Sequence, residues 1–250
     1  MDSAKIGLIT TLLLGIFILI GSLIAFLTKK KDRVVDFSIG LALGVVAMLM
    51  ITDLLPEIIE HLGFRYIYLF VIFCLLGYGI LKILDHFIPD HDDSKLTEKE
   101  KKENLIHIGL ITSLALILHN IIEGMAVYST VISSANLGVA VTLGIGFHNI
   151  PLGMVIASAF YQSNQNIWKT ISVISAVSLS TFFGGLIMFF SGVTAIGSSV
   201  LGALLSLTLG MLIYITIGEL IPRIGEAKDR KVSYIGILMG IVILLIAMAV

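Results

Sequence analysis

The chain has 250 residues, of which 57% are hydrophobic and 13% charged, with a formal net charge of −1 and a mean hydropathy of +1.05. A soluble domain is nearer half apolar and a quarter charged, so this composition excludes disorder, argues against a soluble globular fold, and offers nothing for nucleic acid to bind. The single cysteine, Cys74, lies in an apolar run, so an internal disulfide and a cysteine-based metal site are both excluded.

With 24 glycines and only 4 prolines, the apolar residues fall in runs long enough to span a bilayer, about 20 residues each. In chain order the expected spans are Ile6–Leu27, Phe37 to about Ile59, Tyr66–Leu84, Ile106–Tyr128, Leu137–Tyr161, Ile167–Phe190, Val200–Ile221 and Val232–Val250. The first run is too long for a signal-peptide core, has no evident cleavage site, and reads as a retained helix. The polar stretch Ser129–Asn136 separates spans four and five. The expected fold class is therefore all-α: a polytopic membrane protein of eight transmembrane helices, with residues 1–250 forming a single transmembrane domain.

Basic residues stay on the cytoplasmic side. Lys29, Lys30, Lys31 and Arg33 fall between spans one and two, and Lys95, Lys99, Lys101 and Lys102 between three and four. Lys169 falls between five and six, and Arg223, Lys228, Arg230 and Lys231 between seven and eight. The alternate loops hold little more than Arg65, and only Lys5 precedes span one. Eight spans put every basic cluster on one side and both termini outside. The sizeable extramembrane segment is then a cytoplasmic loop over 85–104, opening with Asp85, His86, Asp90, His91, Asp92 and Asp93. It reads either as a solvated linker or as a weak metal-collecting site based on His86 and His91, because carboxylate and imidazole suit divalent cations.

Ionisable residues inside spans are costly and by default functional. Span four carries His119-Asn120-Ile121-Ile122-Glu123-Gly124-Met125 and span five carries His148-Asn149-Ile150-Pro151-Leu152-Gly153-Met154, identical at five of seven positions. His119 and Glu123 are four apart and share a helix face, with Asn120 flanking. Span five presents His148 and Asn149 likewise. Packed face to face, the two helices offer imidazoles, amide oxygens and one carboxylate, a donor set suited to Zn²⁺ or another first-row divalent ion. A structural polar network and a metal-free proton relay are the alternatives. Pro151 removes an amide donor and frees the carbonyl of Phe147, so broken backbone lining a cavity is expected there. Met48, Met50, Met125 and Met154 could offer thioethers, although membrane methionines mostly pack.

Asp53-Leu54-Leu55-Pro56-Glu57 ends span two and Glu219-Leu220-Ile221-Pro222-Arg223 ends span seven. By the orientation above they lie at opposite faces, as expected of an inverted 3+2+3 repeat with spans four and five at its centre. Asp53 and Glu57 become candidate entrance ligands and Glu219 a candidate exit ligand. Acidic helix ends followed by turns are the plainer alternative.

These residues resemble the ZIP (ZRT/IRT-like) metal transporters over nearly the whole chain. The resemblance implies eight spans, both termini outside, and a variable His-bearing loop between spans three and four. The family's HNxPEG signatures are matched at His119, Asn120, Glu123 and Gly124, and again at His148, Asn149, Pro151 and Gly153. The DLLPE and ELIP segments look like the family's second- and seventh-span motifs. Three positions depart: Ile122 replaces a proline, Leu152 stands where a glutamate is usual, and Thr181 lies near another position that is often glutamate. In relatives with two adjacent metals those carboxylates build and bridge the second site. One central metal is expected here, held by His119, Glu123 and His148 with Asn120 or Asn149 assisting.

The leading expectation is uptake of a divalent metal, zinc foremost, as the transported substrate across a bacterial plasma membrane, with no enzymatic activity. By analogy, spans one, four, five and six rock against two, three, seven and eight. Rival readings are a proton-coupled transporter of another solute using the same His and Glu residues, an intramembrane metalloenzyme (although no HExxH segment is present), and a metal-binding regulator. The expected partners are the metal ion, the lipid bilayer and a second copy in a homodimer.

Overall fold

The computed structural model describes residues 3–27, 31–87, 98–163 and 166–248. In lipid a backbone can bond only to itself, which favours helix, and all regular elements among the described residues are helical. Helix α1 spans Ser3–Leu27. Helix α2, Lys31–Leu49, runs through a π-helical turn at Met50–Leu54 into α3, Leu55–Leu62. Gly63, at φ 54°, turns the chain through the left-handed region that favours glycine, and a 3₁₀ turn leads into α4, Ile67–His86. Then come α5, Glu98–Ser133, α6, Ala135–Gln162, and α7, Ile167–Ser191. Helix α8, Ser198–Ile215, passes through a second π turn at Thr216–Leu220 into α9, Ile221–Glu226. Helix α10, Arg230–Met248, ends the described chain.

Among the described residues seven helices are long and apolar enough to cross a membrane: Ser3–Leu27, Arg33–Leu62, Phe64–His86, Gly109–Ser133, Thr142–Phe160, Ile167–Ser191 and Ser198–Glu226. They correspond to the first seven expected spans, and α10 occupies the place of the eighth. The 85–104 segment is shorter than expected. Asp85 and His86 belong to the last turn of α4, and residues 98–104 already belong to α5.

The acidic-proline motifs do not end their helices. In both places the helix widens to a π turn and then continues: the Leu55 N–H bonds the Met50 carbonyl, and the Ile221 N–H bonds the Thr216 carbonyl. Pro56 and Pro222 follow in the first turn of α3 and α9. A proline lacks a donor and its ring crowds the carbonyl one turn back, and a π turn relieves both without breaking the rod. Pro151 behaves differently from expectation, because α6 passes through it without interruption. Its flanks are clamped: a Cβ at Gly21 of α1 would overlap the Ile150 carbonyl, and one at Gly153 would overlap the Ile18 carbonyl.

Helices sort into two sets by their contacts. Helices α1, α5, α6 and α7 pack on one another. In the second set α2 pairs with α10 and α4 with α8, and each π turn rests on the other rod, the first against α8 and the second against α2. The tightest pairs are built on reciprocal small residues, which let backbones approach closely in lipid. A Cβ at Gly124 of α5 would overlap the Thr181 carbonyl of α7, and one at Gly184 of α7 the Ile121 carbonyl. The α4–α8 pair repeats the device with Gly77 and Gly210. The sets meet where α6 faces α2 and α10 and where α5 faces α8, whereas α4 and α5 touch little.

Gly210→Leu drives a side chain into the Cys74 carbonyl and is expected to cost about 1–3 kcal/mol or more, lowering the thermal unfolding temperature of the detergent-purified protein. Gly79→Leu, where a Cβ meets nothing within 4 Å, is expected to leave it unchanged. Equal stability of the two variants would contradict the close α4–α8 packing.

Candidate metal centre

His119 and Glu123 lie one turn apart on α5, and α6 brings His148 against them. Glu123 Oε1 sits 3.1 Å from His148 Nε2 and 3.6 Å from His119 Nε2. The two imidazole centroids are 6.5 Å apart at 45°. All three side chains are buried, and one donor atom from each lies within 4.8 Å of the others. This convergence is the one expected from the spacing. Helix α1 is tied to the helices around this cluster by backbone-directed bonds: Ser22 Oγ of α1 donates to the Gly153 carbonyl of α6 at 3.2 Å, and Ser178 Oγ of α7 to the Gly15 carbonyl of α1 at 2.9 Å.

The flanking amides behave less simply. Asn120 Nδ2 donates to the Val177 carbonyl of α7 at 3.2 Å, which turns the amide toward α7, while its Oδ1 has no protein partner. Asn149 is fully buried with neither amide atom partnered. Thr181 Oγ1 is also unpartnered. Its usual acceptor one turn back, the Val177 carbonyl, takes Asn120 and Ser180 Oγ instead. Glu123 Oε2 completes the group. Buried polar atoms are nearly always bonded, so this inventory of oxygen donors suits a site that receives a cation or water.

Leu152, one turn beyond His148, is 3% exposed and belongs to the hydrophobic core with Ile18 and Ile122. Glu123 is thus the carboxylate of the three-residue cluster. Met154 is in the same core, and Met48 and Met50 pack against it. Asp53 occupies the first π turn, within electrostatic range of His148, Glu123 and His119. Glu57, one turn on, is in range of Asp53 and Glu123. Of the loop candidates, His86 is exposed with its ring 6.0 Å from that of Phe87, and it joins no three-ligand group among the described residues. His91 lies outside the described residues.

Glu219 occupies the fourth place of the second π turn, as Asp53 does in the first. It takes part in a second buried cluster that the sequence reading did not assemble. Asp85, His107 and Glu219 bring one donor atom each within 4.8 Å of one another. His107 Nε2 is 2.6 Å from Asp85 Oδ1 and 3.5 Å from Glu219 Oε1. Tyr214 donates its hydroxyl to Asp85 Oδ2 at 2.5 Å, and its ring meets that of Tyr78 edge-on at 5.1 Å. The signal that could have found His107 was present: an ionisable residue in the apolar run Leu105-Ile106-His107-Ile108. Asp85 was hidden by being read as the start of a loop.

Comparison with known proteins places the chain in a family. The model of the family described as "ZIP Zinc transporter" matches residues 85–248, more than half of the chain. The zinc transporter ZupT of Escherichia fergusonii is 27% identical over 250 residues, covering 98% of this chain and 97% of the relative. ZupT of Enterobacter sp. strain 638 is 26% identical over 240 residues, covering 94% and 93%, and that of Salmonella arizonae is 26% identical over 247 residues with the same coverage. The match of the family model across both clusters shows that this chain belongs to the ZIP family of metal transporters.

Proposed function

We propose that the protein carries a divalent metal ion, zinc foremost, into the cytoplasm through one central site made by His119, Glu123 and His148. The observation that carries this reading is the sharing of Glu123 Oε1 between two imidazoles in a buried seam. A dication entering lipid must replace its hydration shell, and imidazole with carboxylate supplies ligands of the right hardness and charge. Asn120 and Asn149 offer neutral oxygens beside them. With Leu152 and Thr181 uncharged, one carboxylate serves one ion. The family is one of transporters and not of enzymes, so the metalloenzyme alternative is set aside.

All three central donors lie on α5 and α6, in the first helix set. The carboxylates of Asp53 and Glu219 lie on the π turns of the second set. A rocking motion of one set against the other would therefore carry the central ligands intact from the neighbourhood of Asp53 and Glu57 toward that of Glu219. Occupation of the same place in two π turns by Asp53 and Glu219, each three residues before a proline, supports an inverted repeat. Eight spans with both termini outside, in a bacterial plasma membrane, accord with the distribution of Lys and Arg. A homodimer is retained as the expected assembly.

Glu123→Ala and His119→Ala are expected to abolish zinc uptake in a zinc-starved host while the proteins still reach the membrane; normal uptake by both would sink the assignment. Leu152→Glu places a second carboxylate one turn from His148, as Glu123 is from His119. It is expected to raise the metal bound per chain or change the order of metal preference in direct flux assays. An unchanged stoichiometry and preference in the folded variant would show that Leu152 does not set the count.

A further inference from the structure

Helices α2 and α10 form a parallel pair. A Cβ at Gly40 of α2 would overlap the Ser233 carbonyl of α10, and one at Gly44 the Ile237 carbonyl; Gly236 and Gly240 of α10 meet the Phe37 and Leu41 carbonyls of α2 in return. Each step is four residues in the same direction on both helices, so their N-terminal ends lie side by side. That end is locked by acids. Asp36, buried, accepts the Asp229 backbone N–H at 3.0 Å, and the Asp229 carboxylate lies 3.9 Å from Arg33 Nε. Arg33 still has 63% of its side chain exposed, and Arg230 and Lys231, next after Asp229, are exposed as well. Arg230 Nη2 donates to the Gly225 carbonyl at 2.6 Å, which engages one of the five donors of a guanidinium. From Arg230 the outward stripe of α10 runs on through Tyr234, Leu238, Val242 and Leu245, at spacings of three and four and all exposed. From Tyr234 to Leu245 the stripe is about 16 Å long, close to the thickness of one leaflet's hydrocarbon.

We propose that this corner binds an anionic phospholipid, its phosphate held by Arg33, Arg230 and Lys231 and an acyl chain lying along the α10 stripe. The inference rests on α2 and α10 crossing the bilayer with these ends at the cytoplasmic face, as read above, and not on the metal carried. Arginine forks match phosphate oxygens in pairs, and here two of them stand on neighbouring helices beside an ammonium. Basic pockets between membrane helices at the cytoplasmic face suit anionic headgroups. Tyr234, one turn below Arg230, has the half-polar ring that settles at the glycerol level. A second copy of the chain fits the same stripe less well. In a two-fold dimer within one membrane like ends meet, so three cations of each copy would face those of the other. A bound headgroup bridges Arg33 of α2 and Arg230 of α10, and Arg230 already grips the end of α9 through Gly225. One lipid thereby ties α2, α9 and α10 together, and its binding stabilises the fold by mass action.

The test follows thermal unfolding of the full chain in a neutral detergent as phosphatidylglycerol or phosphatidylcholine with identical chains is added. Phosphatidylglycerol is expected to raise the unfolding temperature by about 2–4 °C more than phosphatidylcholine, and the difference is expected to shrink at high salt. Arg33→Gln combined with Arg230→Gln is expected to abolish the difference and to keep the response to phosphatidylcholine, which reports that the variant is folded. Lys231→Gln gives the same comparison without touching the Asp229 and Gly225 contacts, and is expected to reduce the difference. Equal responses of the wild type to the two lipids, or a full difference in both variants, overturns the proposal. Soluble glycerol phosphate is expected to give no shift; a shift equal to that of phosphatidylglycerol assigns the cations to free phosphate and overturns the lipid site. A difference that appears only as light scattering shows two chains associating, and is lost in the monomer, assigns the stripe to a second copy and likewise overturns it. The readout is thermal and not a flux, so its failure leaves the zinc reading standing, and a failure of zinc uptake leaves this comparison intact.

Discussion

The structure is organised around one carboxylate shared by two imidazoles at the seam of α5 and α6. An unpaired charge in the middle of an apolar membrane-crossing helix costs about 2.5–3.5 kcal/mol even on insertion scales, and Glu123, buried within α5, has His119 and His148 for company. Bringing those partners to Glu123 requires α5 and α6 to approach closely and at a fixed register. Register is set not by the polar cluster itself but by the backbone contacts around it: Gly124 on the Thr181 carbonyl, and Gly21 and Gly153 on α1 and α6 in turn. In lipid the hydrophobic effect gives no drive for helices to associate, and close packing and interhelical hydrogen bonds take its place. The small residues near the centre are therefore as necessary to it as the donor groups.

The same packing divides the molecule into a set that holds the central donors and a set that presents carboxylates at two π turns. This division gives the π turns a meaning. Each sits where a proline follows by two residues, each is buttressed by the rod that bears the other, and each mounts an acidic side chain in the same place of the turn. Single π turns inside helices occur frequently at functional sites, and here each carries an acidic side chain without interrupting its rod. Pro151 shows that a proline alone does not dictate such a turn. In α6 the surrounding backbone contacts hold the helix to its course.

The two donor clusters contrast in their architecture. The central one lies on α5 and α6, within a single helix set. The other spans both sets. That difference follows from which helices supply the ligands and not from the ligand chemistry, since both places combine imidazole with carboxylate.

Much of the protein was legible in the sequence. Apolar runs determined the helices because lipid leaves the backbone no other way to satisfy its bonds. The repeated His-Asn pairs determined the central cluster because helical periodicity puts residues four apart on one face. What the sequence could not determine was anything depending on the register between helices distant in the chain. Asp85, His107 and Glu219 lie far apart in the chain, with several helices between His107 and Glu219, and no local period brings them together. The turning of Asn120 toward Val177, the core position of Leu152 and the continuity of α6 through Pro151 likewise follow from neighbours on other helices. Local spacing fixes which side of a helix a residue occupies. Only the packed bundle decides what that side meets, because close approach of backbones at small residues is a property of pairs of helices and not of either sequence alone.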